Sequence, residues 1–167
     1  MRQLPVLQGS RIILRPFDAR DAVDYSAWLK DGYLQRMVGE SWLAPSEVVE
    51  KQKVWARDDM MVEYIIADKA SGRPIGDVSV KLEDGKAKFG LMIGDQRYRD
   101  CGYGTEAAEC LMSYVKGVLG IRELYAEIFP FNTTSISFHE KLKFSKLGTS
   151  VDDKNRDCVV YYRNLYS

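Results

Sequence analysis

The chain has 167 residues, 24 basic against 24 acidic side chains, a formal net charge of zero and a hydrophobic fraction of 46%. This length and apolar content suffice for one ordinary globular core, so we expect a single domain over residues 1–167. The balanced charge gives no reason to expect nucleic acid or a membrane surface as partner. No stretch approaches the ~20 apolar residues of a membrane span.

Cysteine usage and the N-terminus indicate a cellular compartment. Cys101, Cys110 and Cys158 are odd in number and follow neither a disulfide nor a metal-ligand spacing. The opening "MRQLPVLQGSRIILRPF" lacks the apolar core and small-residue cleavage site of a signal peptide. We therefore expect a cytoplasmic protein that binds no metal.

The first third of the chain predicts one strand and two helices. Residues 11–17, "RIILRPF", form a β-rich run, and residues 18–31 have helical spacing with Asp18 as N-cap. Residues 45–58 predict a second helix that begins with proline and serine. Residues 32–44 are aromatic and interrupted by glycine, so we expect a loop that either carries binding residues or covers an edge of the core.

The rest of the chain predicts a mixed sheet with two further helices. Tight turns at "SGRP" and "EDGK" join three β-rich runs into an antiparallel meander. A helix starting near Thr105 follows, and then a strand, a short helix and a final strand. The resulting order β-α-α-β-β-β-α-β-α-β-β predicts one α/β domain. The runs concerned are residues 62–69, 74–82, 87–94, 123–129, 132–144 and 157–164.

Two glycines stand between a strand and a helix. Gly102 and Gly104 leave main-chain amides accessible at a helix N-terminus, where the dipole favours an anion. An ordinary strand-to-helix turn without ligand is the alternative. A dinucleotide fingerprint would need glycine at position 107, which is Ala107, and no Walker Gly-Lys-Ser/Thr occurs.

The segment around these glycines resembles a signature of a known family. Residues 99–107, "RDCGYGTEA", resemble the Arg/Gln-x-x-Gly-x-Gly/Ala acyl-CoA signature of the GCN5-related N-acetyltransferases (GNAT), through Arg99, Gly102 and Gly104. Residues 132–144, "NTTSISFHEKLKF", look like the second signature of that family. The opening "GSRIILRPFDARDA" is similar to the branch that acetylates ribosomal-protein N-termini. The order and spacing match over nearly the whole chain.

The resemblance implies a fold and a cosubstrate. It implies a mostly antiparallel, mixed central sheet, splayed in a V between the strand ending near Ile93 and the strand beginning near Leu124, and flanked by about four helices. Acetyl-CoA would lie in this V, its pantetheine hydrogen-bonded to the backbone of Leu91, Met92 and Ile93. Its pyrophosphate would sit on amides of the loop, namely Arg99, Asp100, Cys101, Gly102, Tyr103, Gly104 and Thr105. A ligand resembling a strand would satisfy an otherwise unpaired strand edge.

Three positions depart from the family pattern. Lys143 stands where the family usually has glycine, and a left-handed residue there would cost lysine roughly 1 kcal/mol. Glu106 lies close to the expected pyrophosphate, where its charge is unfavourable. Lys88 occupies the region of the strand in which many relatives carry a catalytic glutamate, so that carboxylate is absent.

Candidates for protonating the departing thiolate lie in the second signature. His139, the sole histidine, falls where many relatives carry the tyrosine that protonates CoA, and its ordinary pKa is near neutrality. The alternative interpretation is that His139 is an exposed helix residue with no catalytic role. Ser135, four residues earlier on the same helix face, is the other candidate donor. Its alternative role is structural, as a polar residue in the first turn of the helix. Asn132 is expected to contact pantetheine, to N-cap the helix, or both.

The general base is less well indicated. Asp77, Glu127 and Glu40 are candidates, each with a structural alternative, and a water chain would replace a dedicated base. Cys101 lies in the expected pyrophosphate loop, far from the thioester, so we expect direct transfer in a ternary complex rather than an acetyl-cysteine. The partners are then acetyl-CoA and an amine acceptor, either a peptide N-terminus or a small molecule, with the enzyme a monomer or homodimer.

Acceptor specificity is expected in the N-terminal helices, their joining loop and the last hairpin. Aromatic and apolar residues there are candidate walls, although such residues more often belong to a core: Tyr33, Met37, Trp42 and Tyr162. Two other classes stay open. A non-catalytic acyl-CoA-binding module would keep the anion cradle without turnover, and a pure interaction domain would leave the glycines as an empty turn.

Overall fold

The computed structural model describes residues 3–167, and this part of the chain forms one eight-stranded sheet with five α-helices. The strands are β1 (Leu7–Gln8), β2 (Ile12–Arg15), β3 (Met61–Asp68), β4 (Pro74–Glu83), β5 (Lys86–Ile93), β6 (Glu123–Ile128), β7 (Ser145–Val151) and β8 (Asp157–Asn164). The helices are α1 (Ala22–Trp28), α2 (Gly32–Val38), α3 (Pro45–Arg57), α4 (Tyr103–Gly117) and α5 (Thr133–Lys141), with short 3-10 turns at Ala19–Asp21 and Gln96–Tyr98.

The sheet is mixed and mostly antiparallel, as predicted. Its strand order is β1-β2-β3-β4-β5-β6-β8-β7, and every neighbouring pair is antiparallel except β5 with β6. That parallel pair is in register only at Lys88 and Tyr125. Since β5 continues to Ile93, its last residues have no strand partner on the β6 side. The V expected from the resemblance is therefore present.

Each face of the sheet is covered by its own helices. On one face, α4 buries Leu111 and Val115 completely against a cluster that includes Phe89 of β5. On the other, α1 and α3 bury Trp28 and Val48 in a second cluster. Burying a side chain of this size contributes about 1.5–3 kcal/mol. Among the described residues no helix is both long and apolar enough to cross a membrane.

The expected loop over residues 32–44 is wrong in its first half, where α2 forms. The side chain of Asp31 caps this helix by accepting the N–H of Tyr33 at 3.0 Å. Gly39 ends it in the left-handed conformation, with φ of 71°. The helix buries Leu34. Glycine at both ends of a short helix produces the same sequence pattern as a glycine-interrupted loop.

The end of α5 has the left-handed residue that the family pattern implies. Lys143 has a φ of 68°, and the N–H of Phe144 donates to the carbonyl of His139 at 3.0 Å. The N–H of Lys143 donates to Glu140, also at 3.0 Å. These two bonds form a Schellman motif, so the turn keeps its usual shape and the lysine bears the strain.

Candidate active site

The open end of β5 presents main-chain groups toward the gap. The N–H of Leu82 donates to the carbonyl of Met60, just before β3, at 2.7 Å, so the preceding residue, Lys81, directs its main chain to β5, where it pairs with Lys88. Alternation along β5 then directs the main chains of Leu91 and Ile93 away from β4, toward β6. Because β6 has diverged at this level, Leu91 offers an N–H and a carbonyl to an extended, amide-bearing ligand. Met92, between them, turns its main chain to β4.

The loop that follows β5 holds a run of free amides. Asp100 and Gly102 are left-handed, with φ of 58° and 86°. The N–H of Arg99 donates to Gln96 and that of Glu106 to Gly102, at 3.3 and 3.1 Å. Within the described chain, the amides of residues 100–105 have no protein acceptor. This run meets the N-terminus of α4, an arrangement that binds anions.

The side chain of Arg99 shapes this loop. Its Nε donates to the carbonyl of Ile93 at 2.9 Å and one Nη donates to Gly94 at 3.1 Å. The other Nη pairs with Asp31 at 3.1 Å. The guanidinium therefore ties the amide run to the end of β5 and to the start of α2. Arg99 therefore serves to hold the loop in position.

Glu106 is neutralised by a residue that the sequence analysis missed. Arg11, just before β2, donates its backbone N–H to Oε1 and its Nε to Oε2 of Glu106, the latter at 3.0 Å. Partial burial raises the pKa of Glu106, but the bonds to Arg11 outweigh this, and the pKa is lowered. One Nη of Arg11 also donates to the carbonyl of Cys101 at 3.0 Å, and its guanidinium lies 4.2 Å from the centre of the Tyr103 ring.

Asn132 is the N-cap of α5, as one of its predicted roles requires. Its Oδ1 accepts the N–H of Ser135 at 3.1 Å, and its Nδ2 donates to the carbonyl of Met37 at 3.3 Å. The residue is buried. Both ends of the amide thus join α5 to the last turn of α2. A contact between Asn132 and pantetheine stays a prediction.

His139 is not the exposed helix residue of the alternative interpretation, because only 7% of it is accessible. Its Nδ1 lies 2.7 Å from the carbonyl oxygen of Ser135, and since a carbonyl only accepts, Nδ1 carries the proton. Nε2 is buried and has no partner within residues 3–167. Burial among aromatic rings, including Phe144 with its centroid at 5.1 Å, lowers the pKa of His139. The resting ring is therefore neutral and presents a lone pair at Nε2.

Asp77 belongs to a buried acidic network. Its Oδ2 accepts the O–H of Tyr25 at 2.8 Å, and the neighbouring carboxyl of Glu63 accepts from Gln52 at 3.0 Å. Burial raises the pKa of both acids, that of Glu63 the more, and Oε2 of Glu63 is buried with no hydrogen-bond partner among the described residues. Of the two carboxyls, that of Glu63 therefore holds a proton more readily. Asp77, on β4, is only partly buried and so keeps some contact with solvent.

The other two base candidates are held in ion pairs. Glu127 of β6 lies 2.9 Å from Lys88 of β5, which also contacts Glu83 at 3.0 Å. Burial lowers the pKa of Lys88, but its bonds to the two carboxylates outweigh this and raise it. Glu40 pairs with Lys51 at 3.3 Å. Both carboxylates are thus already engaged by a lysine.

A groove of about 760 Å³ lies beside α2. Its walls come from α2 and the loop after it, the segment following β6, and the turn between β7 and β8, and they include Gln35, Arg36, Glu40, Phe129, Phe131 and Arg156. Phe129 and Phe131 stack with centroids 5.4 Å apart. Tyr33, Met37, Trp42 and Tyr162 lie outside this lining.

The cysteines are free: Cys101 is exposed, Cys110 half-buried and Cys158 buried. In residues 3–167 no group of three or more His, Cys, Asp or Glu side chains is arranged to hold a metal ion.

Comparison with known sequences identifies relatives along most of the chain. The family model described as an acetyltransferase (GNAT) domain matches residues 11–145. The alpha/beta-tubulin-N-acetyltransferase 9 of Mus musculus is 29% identical over 164 residues, which cover 90% of this chain and 68% of that protein.

Solved structures share the fold. A structure described as a putative ribosomal-protein-serine acetyltransferase from Vibrio cholerae has a TM-score of 0.84 at 16% identity, covering 96% of this chain and 97% of that one. Spermidine N-acetyltransferase from Vibrio cholerae, solved in complex with CoA and spermine, has a TM-score of 0.81 at 16% identity, covering 94% and 97%.

Proposed function

Because this chain belongs to the GNAT acetyltransferase family, we propose that it transfers the acetyl group of acetyl-CoA to a primary amine by direct attack in a ternary complex. The observation that carries the proposal is the unpaired edge of β5 at Leu91, next to the free amides of residues 100–105. One accepts an extended, amide-bearing arm and the other a diphosphate, and the two follow each other along the chain. We further propose a cytoplasmic location, which the three free cysteines support.

The residues present fit acetyl-CoA. Leu91 would hold the pantetheine amides, and the amides at the start of α4 would hold the pyrophosphate. Bound acetyl-CoA supplies the activated thioester. Arg99 fixes the loop in the shape that these contacts need, and Arg11 removes the charge of Glu106 that would oppose a phosphate.

We assign the proton acceptor to Asp77. A base for an ammonium group works best with a pKa raised toward neutrality, and burial moves Asp77 in that direction. The O–H of Tyr25 holds its carboxyl in place, and its solvent contact lets a water carry the proton from the amine. Glu127 and Glu40 are less suitable because Lys88 and Lys51 hold them.

We assign the proton donor to Ser135, with His139 as its positioning residue. A neutral His139 with its proton on Nδ1 has no hydrogen on Nε2 to give to a thiolate. The Ser135 hydroxyl lies 3.3 Å from Nδ1 at the start of α5. The ring therefore orients this hydroxyl rather than acting itself as the acid.

For the acceptor we propose a peptide N-terminus that enters the groove beside α2. The groove is open to solvent, and its stacked Phe129 and Phe131 offer apolar surface to the side chains of a peptide. Its three cations, Arg36, Lys154 and Arg156, outnumber its two acids, Glu40 and Asp157, which disfavours a polyamine with several positive charges. Tubulin, the substrate named for the mouse relative, and ribosomal-protein N-termini are the first proteins to test.

The test is a panel of acceptors incubated with acetyl-CoA. It contains peptides with free or blocked N-termini, peptides with an internal lysine, and polyamines. Thiol release measures turnover, and mass spectrometry locates the acetyl group. Acetylation of free α-amines supports the proposal. CoA binding without thiol release across the panel would instead indicate a binding module, and a stable acetyl-enzyme formed without acceptor would contradict direct transfer.

A further inference from the structure

Arg11 has more hydrogen-bond donors than its protein partners use. Its guanidinium carries five N–H groups. Glu106 occupies the one on Nε, and the carbonyl of Cys101 occupies one on Nη1. Within the described chain the second hydrogen of Nη1 and both hydrogens of Nη2 donate to no other residue. The side chain is 47% exposed, so solvent or a ligand reaches these donors.

These donors lie at the free amides of the loop. A Cβ placed on Gly102 would be 3.1 Å from Nη2 of Arg11, so the guanidinium contacts the residue at the centre of the amide run. Glu106, Cys101 and the Tyr103 ring fix its plane there. A guanidinium held beside consecutive free amides and a helix N-terminus matches the donors that bind a phosphate.

We propose that Arg11 is a phosphate ligand of CoA, binding through the Nη hydrogens that Glu106 and Cys101 leave free. The inference rests on the acyl-CoA site proposed above and adds to it a cation from a segment more than ninety residues earlier in the chain. The shared chemistry is a phosphate dianion or diphosphate, which in CoA is either the pyrophosphate or the 3′-phosphate. Glu106 then acts as the anchor that positions the cation.

A simpler role must be separated from this one. Arg11 also neutralises Glu106, so its removal would weaken CoA binding merely by exposing a carboxylate near the phosphates. The two roles differ in the double variant. If Arg11 only neutralises Glu106, then Glu106→Gln restores affinity to Arg11→Gln. If Arg11 contacts phosphate, the double variant remains weak.

Isothermal titration with CoA, which involves no turnover, measures the affinities. Wild type, Arg11→Gln, Glu106→Gln and the double variant form the cycle. Arg20→Gln is the matched control, because Arg20 also pairs with one carboxylate, at 3.0 Å, and is 89% exposed. Thermal unfolding verifies that each variant is folded. Arg11→Lys, which keeps the charge but loses the fork, provides a second variant should the glutamine unfold the loop.

We expect Arg11→Gln and the double variant to bind CoA about tenfold more weakly, the loss of a hydrogen bond to a charged group, and Arg20→Gln to bind like wild type. Dephospho-CoA assigns the phosphate: an equal loss indicates the pyrophosphate, and a vanished loss indicates the 3′-phosphate. Unchanged binding by Arg11→Gln, or full rescue in the double variant, overturns the inference alone. Failure of the wild type to bind CoA overturns the proposed function together with it.

Discussion

Glu63→Gln should stabilise this protein at neutral pH and have little effect in acid. Burial raises the pKa of Glu63 in the folded state above its unfolded value. Between these two values the folded chain binds more protons than the unfolded chain, so the free energy of unfolding falls as pH rises. The contribution of this carboxyl is fully present below the unfolded pKa and is lost as pH rises through the folded pKa. Glutamine removes the titration while keeping the shape.

The magnitude follows from the proton count. One proton gives a slope of at most about 1.4 kcal/mol per pH unit, beginning at the unfolded pKa of about 4.3. The glutamine oxygen still accepts from Gln52, and its amide puts a neutral group where the buried carboxyl stood. We expect the variant to exceed wild type at neutral pH, by a margin that grows with pH along this slope, and each 1 kcal/mol gained raises Tm by about 2–4 °C.

Urea unfolding followed by circular dichroism, repeated from about pH 4 to about pH 8, measures this difference. Glu50→Gln is the control, because its side chain is 71% exposed and pairs only with Lys53 within the described chain. That variant should track wild type at every pH. A stability difference between Glu63→Gln and wild type that stays constant with pH would refute the raised pKa of Glu63. A variant less stable than wild type at neutral pH would refute it equally.

Three further substitutions test other parts of the molecule. Gly102→Ala places a side chain at φ of 86° and should weaken CoA binding about tenfold in titration, whereas Gly104→Ala, whose Cβ has no neighbour closer than 3.5 Å, should bind normally. Asp77→Asn should lower kcat about 100-fold or more and abolish the acidic limb of the pH profile, and kcat within about threefold of wild type would contradict its role as base. Lys143→Gly relieves the left-handed φ of 68° and should stabilise by about 0.5–1 kcal/mol in urea unfolding, while Lys141→Gly inside the helix should destabilise.

The sequence predicts those parts of the fold that depend on patterns among residues close together in the chain. Alternation of apolar residues with turns between them predicted the β3-β4-β5 meander, which is confirmed. Gly102 and Gly104 marked the start of α4, because the positive φ of Gly102 and the accessible backbone at Gly104, in the first turn, both favour glycine. The gap between β5 and β6 has no such local signal. It came only from the resemblance to a family.

The contacts that complete the site join residues distant in sequence. Arg11 and Glu106 are 95 positions apart, and no periodicity of either segment shows that they meet. Glu63 and Asp77 sit on adjacent strands, but the burial that raises the pKa of both carboxyls depends on the helices that cover them. The sequence alone does not determine whether His139 is exposed. The structure shows that it is buried, because aromatic rings such as that of Phe144 pack around it.

The helix that the sequence analysis missed joins the two halves of the site. Its N-cap, Asp31, pairs with Arg99 at the loop of free amides. In its last turn and C-cap, carbonyls accept from Asn132 at the start of α5 and from Arg156 beside the β7–β8 turn, at 3.3 and 3.2 Å. These carbonyls would otherwise lack partners, so the ties stabilise α2 as well as its neighbours. Since α2 also walls the groove, one short helix sets the spacing between the loop of free amides and the groove, so the two are built as a single unit.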